Sequence, residues 1–326
     1  MKWHLCPKLR ITPNFPSHID IEASSKCQLQ CPMCGQRRMD AKMKGNMNFE
    51  LYKRIIDECV ARHVYSVKLS WRGEPVLNPD LFKMVKYAKD KGIKDVAFLT
   101  NVEGFDDDKV QELIESGVDW ISCSVDGLYQ TYDRIRYPAK FEDTVEKIKK
   151  IVEIRRKVNR QKPLVRIQTI FSAIKSDPAE YKNFWEPIVD KINFIADQIR
   201  QTAKKDFPTD RDFVCQSPWQ RMCIDFDGRV TQCHSDYLEK NVLGDVKKQS
   251  LYEIWHGEPF KEVRKLHKTG RSLKLAPCRE CSYRGEMEEV TVDVDGKKQN
   301  ILKYVEQELD LETMDARPRS ESKHEK

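Results

Sequence analysis

The chain has 326 residues, 39% of them hydrophobic and 34% charged, which predicts a globular protein with one large domain and a smaller one. Its net charge of +6 lies in mixed-sign stretches without a basic block, so we expect no nucleic-acid partner. No apolar run approaches the roughly 18 residues that span a bilayer, and the N-terminus lacks the apolar region of a secretion signal, so we expect a cytoplasmic protein without a membrane partner.

Strand and helix patterns then alternate about six times along the chain. Alternating or continuous apolar positions predict strands at 17–24, 64–71, 94–101, 118–127 and 163–172, with a sixth near 193–200. Apolar residues at helical spacing predict helices at 48–63, 80–92, 107–117, 141–158 and 178–192. This alternation predicts an α/β fold in which parallel strands and crossover helices form a partial (β/α)6 barrel. Ligands are expected at the carboxyl ends of the strands.

The pattern changes after the barrel. Five parts are predicted, an N-terminal arm at 1–16, the barrel at 17–200, a polar linker at 201–212, a small auxiliary domain at 213–285 and a C-terminal extension at 286–326. The small domain should contain a hairpin that turns at Asp227 and Gly228, followed by short helices. In the extension we expect a further hairpin and a helix. Its last fifteen residues lack apolar content and are expected to be disordered.

Three closely spaced cysteines, Cys27, Cys31 and Cys34, follow the first predicted strand. In a reducing compartment such spacing is more typical of metal binding or redox chemistry than of structural disulfides. A [4Fe–4S] cluster held by protein alone takes four cysteines, so three would leave one iron open to another ligand. Open coordination is typical of a reactive site, although these residues alone also allow a labile zinc loop.

The spacing CxxxCxφC, with Met33 at the φ position, resembles the signature of the radical S-adenosylmethionine (SAM) enzymes. The resemblance implies a [4Fe–4S] cluster bound by the three cysteines, with the amino and carboxylate groups of SAM on the fourth iron. It further implies that one electron cleaves SAM to a 5′-deoxyadenosyl radical, which abstracts hydrogen from a substrate. A reductant such as flavodoxin or ferredoxin would supply that electron.

The segment WRGEP, at 71–75, resembles the GGEP strand end of this family, with Arg72 in place of the first glycine. The resemblance implies that the backbone at Gly73 and Glu74, followed by Pro75, receives the amino group of SAM. Glycine suits this position because it lets the backbone approach closely.

Two other strand ends also resemble SAM-binding segments. LTN, which ends at Asn101, resembles the strand end under SAM, and SVDG implies that Ser124 and Asp126 face the ribose. Gln168, polar between apolar neighbours, is interpreted either as an interior residue near SAM or substrate or as a hydrogen-bonded core glutamine. Arg136 either meets the SAM carboxylate or forms a surface ion pair.

A second cysteine set has the spacing C-x17-C-x44-C-x2-C and consists of Cys215, Cys233, Cys278 and Cys281. It resembles the C-terminal SPASM/twitch domain of radical SAM enzymes, which implies an auxiliary [4Fe–4S] cluster. The chain has too few later cysteines for two auxiliary clusters, so we expect a shortened, single-cluster domain. A structural zinc is the alternative. Cys223 is interpreted as an ordinary hairpin residue, with a cluster ligand and a hydrogen-atom donor as alternatives.

A fully ligated auxiliary cluster can accept an electron, which suits oxidation. We therefore predict an oxidoreductase that dehydrogenates a small sugar-like or cyclitol-like compound. The alternatives are modification of a ribosomal peptide or protein, redox-neutral sugar epimerisation, and an electron-transfer or metal-binding protein without catalysis. About sixteen residues precede the first strand, fewer than a leader-peptide recognition domain needs, which favours the small-molecule substrate.

Overall fold

The computed structural model describes residues 2–197, 213–294, 296–304, 309–312 and 314. The predicted linker at 201–212 and most of the tail that was expected to be disordered lie outside the described residues. None of the helices in the described part is long and apolar enough to cross a membrane.

Eleven strands and eleven α-helices are found in the described residues. The strands are β1 (His18–Ile21), β2 (Ser66–Lys68), β3 (Asp95–Thr100), β4 (Trp120–Ser124), β5 (Leu164–Ile170), β6 (Lys191–Ile195), β7 (Arg221–Ile224), β8 (Arg229–Thr231), β9 (Val242–Asp245), β10 (Met287–Val294) and β11 (Lys297–Tyr304). The helices are α1 (Lys2–Lys8), α2 (Phe49–Ala61), α3 (Leu81–Asp90), α4 (Asp107–Glu115), α5 (Tyr129–Ile135), α6 (Phe141–Lys157), α7 (Pro178–Trp185), α8 (Ser217–Gln220), α9 (Leu251–His256), α10 (Glu258–Lys268) and α11 (Ala276–Arg279).

Nine of the strands form one sheet in the order β6-β5-β4-β3-β2-β1-β7-β8-β9. Strands β1 to β6 are parallel, which confirms the predicted α/β partial barrel. Strand β7 pairs in parallel with β1, and β8 and β9 then continue antiparallel. The sheet therefore runs without a break from the barrel into the small domain.

Helices cover the sheet with their apolar faces. In α2, for example, the Asn48 side chain caps the helix by accepting from the backbone of Glu50 and Leu51, and Ile55 and Ile56 are buried. Ile19 of β1 is fully buried, as expected for a parallel strand covered on both faces. This packing leaves the loops at the carboxyl ends of the strands to form the sites.

Several elements differ from the predictions. Helix α7 ends at Trp185, not at 192, because Pro187 has no N–H to donate and its ring obstructs a continuing helix. Strand β6 consequently begins at Lys191, two residues earlier than predicted. Short α1 in the arm, short α5 and β9 lacked enough periodic positions to be predicted from the sequence.

Candidate cofactor sites

The first cysteine loop leaves the carboxyl end of β1 and lines a cavity of about 260 Å³. Cys27, Cys31 and Cys34 all contribute to the wall of this cavity. A turn in which the Cys34 amide donates to the Cys31 carbonyl oxygen, at 3.1 Å, brings the last two together. The structure thus places the three predicted ligands around one space.

Two side chains from other strand ends contact the sulfurs of this loop. Asn101 Nδ2 lies 3.6 Å from Cys27 Sγ, and an Arg136 terminal nitrogen lies 3.8 Å from Cys31 Sγ. Burial raises the pKa of Cys27 to about 12 and that of Cys31 to about 11. Without a metal these thiols therefore hold their protons at neutral pH, and iron must displace those protons when it binds.

The WRGEP segment packs against the backbone that leads into the cysteine loop. A Cβ at Gly73 would lie 2.5 Å from the carbonyl oxygens of Ser24 and Lys26, so no other residue fits without movement. The Glu74 amide donates to the Lys26 carbonyl oxygen at 2.7 Å. Gly73 is therefore needed for the close approach of two backbone segments, and the sequence pattern reflects this.

The Glu74 carboxylate ties neighbouring strand ends together. It is buried and accepts hydrogen bonds from Thr100 Oγ1, at 2.7 Å, and from the Asn101 amide, at 2.6 Å. Burial raises its pKa to about 7, against the opposing effect of these hydrogen bonds. Glu74 lines the cavity, whereas Pro75 begins a 3-10 turn and is not among the lining residues.

Asp126 and Arg136 form a buried ion pair beside the same cavity. The carboxylate of Asp126 lies 2.5 Å from a terminal nitrogen of Arg136 and accepts from the Ile170 amide at 2.9 Å. Asp126 is not among the lining residues, but Arg136 is, and its Nε has no hydrogen-bond partner in the described part of the chain. Asp126 thus positions Arg136. The sequence allowed a surface ion pair for Arg136, but the carboxylate with which it pairs is buried.

Six of the eight residues predicted to bind SAM surround this cavity, namely Met33, Gly73, Glu74, Asn101, Ser124 and Gln168. Gln168 lines the cavity and also accepts a hydrogen bond from Asn193 Nδ2 at 3.4 Å. Ile170 and Ile195 add an apolar part to the lining. The contacts of these residues with SAM stay a prediction.

Arg72, which replaces the usual glycine, is fully buried. Its guanidinium pairs with both carboxylate oxygens of Glu22 and with Glu239 of the small domain, at distances between 2.5 and 2.8 Å. It also donates to the Tyr237 carbonyl oxygen at 3.2 Å. The substitution therefore joins the WRGEP segment to the small domain.

The second cysteine set lines a separate cavity of about 510 Å³. All four predicted ligands, Cys215, Cys233, Cys278 and Cys281, contribute to its wall. The described lining residues include the cations Lys68, Arg221 and Arg284 and no carboxylate.

Cys223 lies outside both linings. Its side chain is buried within β7, and its Sγ lies 3.6 Å from Asp20 Oδ2 on the paired strand β1. Asp20 in turn pairs with Lys68 at 2.7 Å and with Arg221 at 3.2 Å. Cys223 is thus part of the sheet between the two cavities.

Several residues near the cavities were not singled out from the sequence. They are Lys68, which lines both cavities, and Gln232 and His267, which lie next to Cys278. His234, whose place beside Cys233 is evident from the sequence, also lines both cavities. A lysine between the apolar residues of a buried strand, as in SVKLSW, was the available signal for Lys68. For the others the signal was weak, because a polar residue next to a cysteine is common.

The described residues contain no group of three His, Cys, Asp or Glu side chains that could hold a metal ion as they stand. A cube of four irons and four sulfides is larger than one ion, so its cysteines surround a cavity instead of meeting at a point. Three thiols beside the cation of Arg136 fit a cluster with one open iron, and four thiols with no carboxylate among the described lining residues fit a closed one.

Comparison with known families agrees with this geometry. The model of the radical SAM superfamily matches residues 21–164, and the model of an iron–sulfur cluster-binding domain, SPASM, matches residues 215–282. The chain belongs to the radical SAM superfamily and carries a C-terminal auxiliary iron–sulfur domain. Its cofactors are SAM, a SAM-binding [4Fe–4S] cluster and auxiliary iron–sulfur clusters, which agrees with the prediction.

Individual relatives are distant. The chain is 24% identical to a tungsten-containing aldehyde ferredoxin oxidoreductase cofactor-modifying protein of Pyrococcus furiosus, over 85% of this chain and 91% of that protein. It is 21% identical to the SAM-dependent 2-deoxy-scyllo-inosamine dehydrogenase of Niallia circulans, over 82% and 92%. The crystal structure of BtrN in complex with AdoMet and 2-DOIA superposes with a TM-score of 0.59 and 19% identity, covering 90% of this chain and all of that one. This last likeness shows a shared fold.

Proposed function

We propose that the chain is a SAM-dependent dehydrogenase of a small polar compound of the sugar or cyclitol type. The observation that carries the proposal is the second cavity, whose four cysteines could together ligate every iron of one cluster. A cluster without an open iron cannot bind substrate, and its remaining use is to pass electrons. Dehydrogenation needs such an acceptor, because an alcohol loses a hydrogen atom from carbon, a proton from oxygen and one electron.

When bound, the first cluster and SAM would supply a radical that removes the hydrogen atom, and the auxiliary cluster would supply the electron acceptor. Around the first site, Asn101 and Arg136 donate to the sulfurs of Cys27 and Cys31. Asp126 holds Arg136 in place, and Arg136 adds a cation to the cavity wall that suits an anionic group such as a carboxylate.

The place proposed for substrate is the boundary between the two cavities. Lys68 and His234 line both, so a small molecule beside them would be close to each site. The Lys68 ammonium is held by Asp20 at 2.7 Å and has further N–H groups to donate to substrate oxygens. Polar side chains at this boundary support a hydroxyl-bearing substrate.

The position of Cys223 supports oxidation over epimerisation. An epimerase needs a donor that returns a hydrogen atom to the substrate radical. Cys223 was the candidate from the sequence, but its sulfur contacts Asp20 within the sheet and lines neither cavity. The similarity to 2-deoxy-scyllo-inosamine dehydrogenase, over most of both chains, also supports oxidation of a cyclitol-like compound.

The test is made with anaerobically reconstituted protein. Incubation with SAM and dithionite should release 5′-deoxyadenosine, and a panel of 2-deoxy-scyllo-inosamine, inositols and sugars should contain a compound that loses two hydrogens by mass. Iron analysis should give about eight irons per chain, from two four-iron clusters.

Two controls accompany this assay. The variant with Cys27, Cys31 and Cys34 replaced by alanine should lose one cluster and all 5′-deoxyadenosine formation, whereas Cys6→Ala, outside both cavities, should retain both. Because the chain is also 23% identical to a PqqA peptide cyclase of Methylobacterium, peptides belong in the panel. A peptide product, or a product of unchanged mass, would overturn the proposal.

A further inference from the structure

A buried amide lies against one sulfur of the second cysteine set. Gln232 follows β8 and is 3% exposed, and its Nε2 lies 3.0 Å from Cys278 Sγ. Both residues line the auxiliary cavity. A thiolate that ligates iron carries no proton and can only accept, so the amide NH2, not its oxygen, must face the sulfur.

A second residue holds the amide in this orientation. Asn241 Nδ2 donates to Gln232 Oε1 at 2.7 Å, which satisfies the oxygen on the side away from Cys278. The backbone of the two residues is also joined, since the Gln232 amide donates to the Asn241 carbonyl oxygen at 3.1 Å. The buried carboxylate of Asp236 accepts from the Asn241 amide at 2.9 Å. This chain of hydrogen bonds fixes where the donor points.

A second nitrogen lies near the same sulfur. His267 of α10 is 2% exposed, and its Nε2 lies 3.6 Å from Cys278 Sγ. Its Nδ1 has no hydrogen-bond partner among the described residues. Gln232 is the shorter contact and the one whose orientation is fixed by a neighbour, so it is the stronger candidate for a defined effect on the site.

Hydrogen bonds to the sulfurs of an iron–sulfur cluster are one of the factors that set its reduction potential. Reduction adds a negative charge that is shared with the cysteine sulfurs, so a donor to a sulfur stabilises the reduced state more than the oxidised one. We propose that Gln232, oriented by Asn241, raises the reduction potential of the auxiliary cluster and thereby favours its acceptance of an electron. This inference rests on the proposed assignment of the four cysteines as the ligands of that cluster.

The experiment uses the variant in which Cys27, Cys31 and Cys34 are alanine, so that only the auxiliary cluster is observed. In this background the reduction potential is measured by a redox titration followed by electron paramagnetic resonance. Gln232→Leu should lower the equilibrium constant for one-electron reduction by up to about fivefold, the limit reached when the whole net contribution of one hydrogen bond is gained on reduction. This corresponds to about 40 mV at 59 mV per tenfold change.

The matched control is Gln220→Leu. Gln220 is also a buried glutamine in the wall of the auxiliary cavity, but its amide donates to the Trp3 carbonyl oxygen and to Gln216 Oε1. Its removal should leave the potential unchanged. Asn241→Leu keeps Gln232 but frees its amide to turn, and should lower the potential by less than Gln232→Leu does.

The results separate this inference from the proposed function. Full iron content with an unchanged potential in Gln232→Leu, or an equal shift in Gln220→Leu, would overturn the role of Gln232. If Gln232→Leu fails to hold iron, Gln232→Met carries the measurement, because methionine has a similar length, cannot donate and adds no charge, so the potential should again fall. Zinc in place of iron in the background protein would instead show that the four cysteines hold a structural metal and would overturn the auxiliary cluster of the proposed function.

Discussion

Arg72→Gly restores the residue that this position has in the family motif, yet it should destabilise the protein. The guanidinium is fully buried between Glu22 of the barrel and Glu239 of the small domain. Burial acts to lower the pKa of Arg72, but these contacts outweigh it and raise that pKa above its ordinary value, so the side chain is always charged. Glycine would remove the cation and leave both carboxylates.

The expected magnitude follows from what remains after the substitution. Glu239 keeps a second partner, Arg229, at 2.7 Å, but Glu22 loses a bidentate partner in a fully buried position. Removing one member of a buried ion pair typically costs about 3–5 kcal/mol. For a protein of this size that loss corresponds to a fall in melting temperature of roughly 4–7 °C.

The assay is thermal and denaturant unfolding of the native protein and Arg72→Gly at equal iron content, since bound cofactors stabilise the native state. The double variant Arg72→Met with Glu22→Gln removes the cation and one carboxylate charge together, and should recover a large part of the loss. A change within about 0.5 kcal/mol of the native value in Arg72→Gly would refute the reasoning, because that is the usual effect of a surface substitution.

Three further outcomes are expected. Gly73→Ala should weaken SAM binding by about tenfold or more in equilibrium dialysis, because its Cβ would displace the backbone at Lys26; unchanged affinity would contradict this. Asp20→Asn should cost roughly 3–5 kcal/mol of unfolding free energy, because it leaves Lys68 without its buried partner; a cost below about 1 kcal/mol would instead match an exposed pair. Cys223→Ala should still give a product that has lost two hydrogens, because Cys223 lines neither cavity. If mass spectrometry found this product with the native enzyme but not with the variant, the prediction would be wrong.

The cysteine sets could be predicted from the sequence because their spacing is determined by the chemistry of the ligands. As predicted ligands, Cys27, Cys31 and Cys34 would have to reach one cluster from one loop, which leaves few possible spacings, and the structure does place them around one cavity. The parallel sheet could be predicted for a similar reason, since buried strands and amphipathic helices leave strong periodic patterns.

Side-chain direction could not be predicted in the same way. Asp126 belongs to a motif that implies a ribose contact, but here it pairs with Arg136 and lies outside the lining. Arg72 looked like a minor departure, because no local pattern indicated that Glu22 and Glu239 would contact its guanidinium. Such contacts join residues that are about 50 to 170 positions apart in the sequence, so local sequence patterns do not predict them.

The pairing of β7 with β1 has a consequence for any attempt to divide or recombine this protein. The backbone groups of residues 18–21 are hydrogen-bonded on one side to β2 and on the other to β7, so the barrel alone would expose an unpaired strand. Exposed edges of this kind template aggregation. A hybrid that takes its C-terminal part from a relative would have to supply a strand in register with His18 to Ile21, as Arg221 to Ile224 do here. The workable junction for such a hybrid therefore lies downstream of β7, not at the boundary that the two family matches suggest.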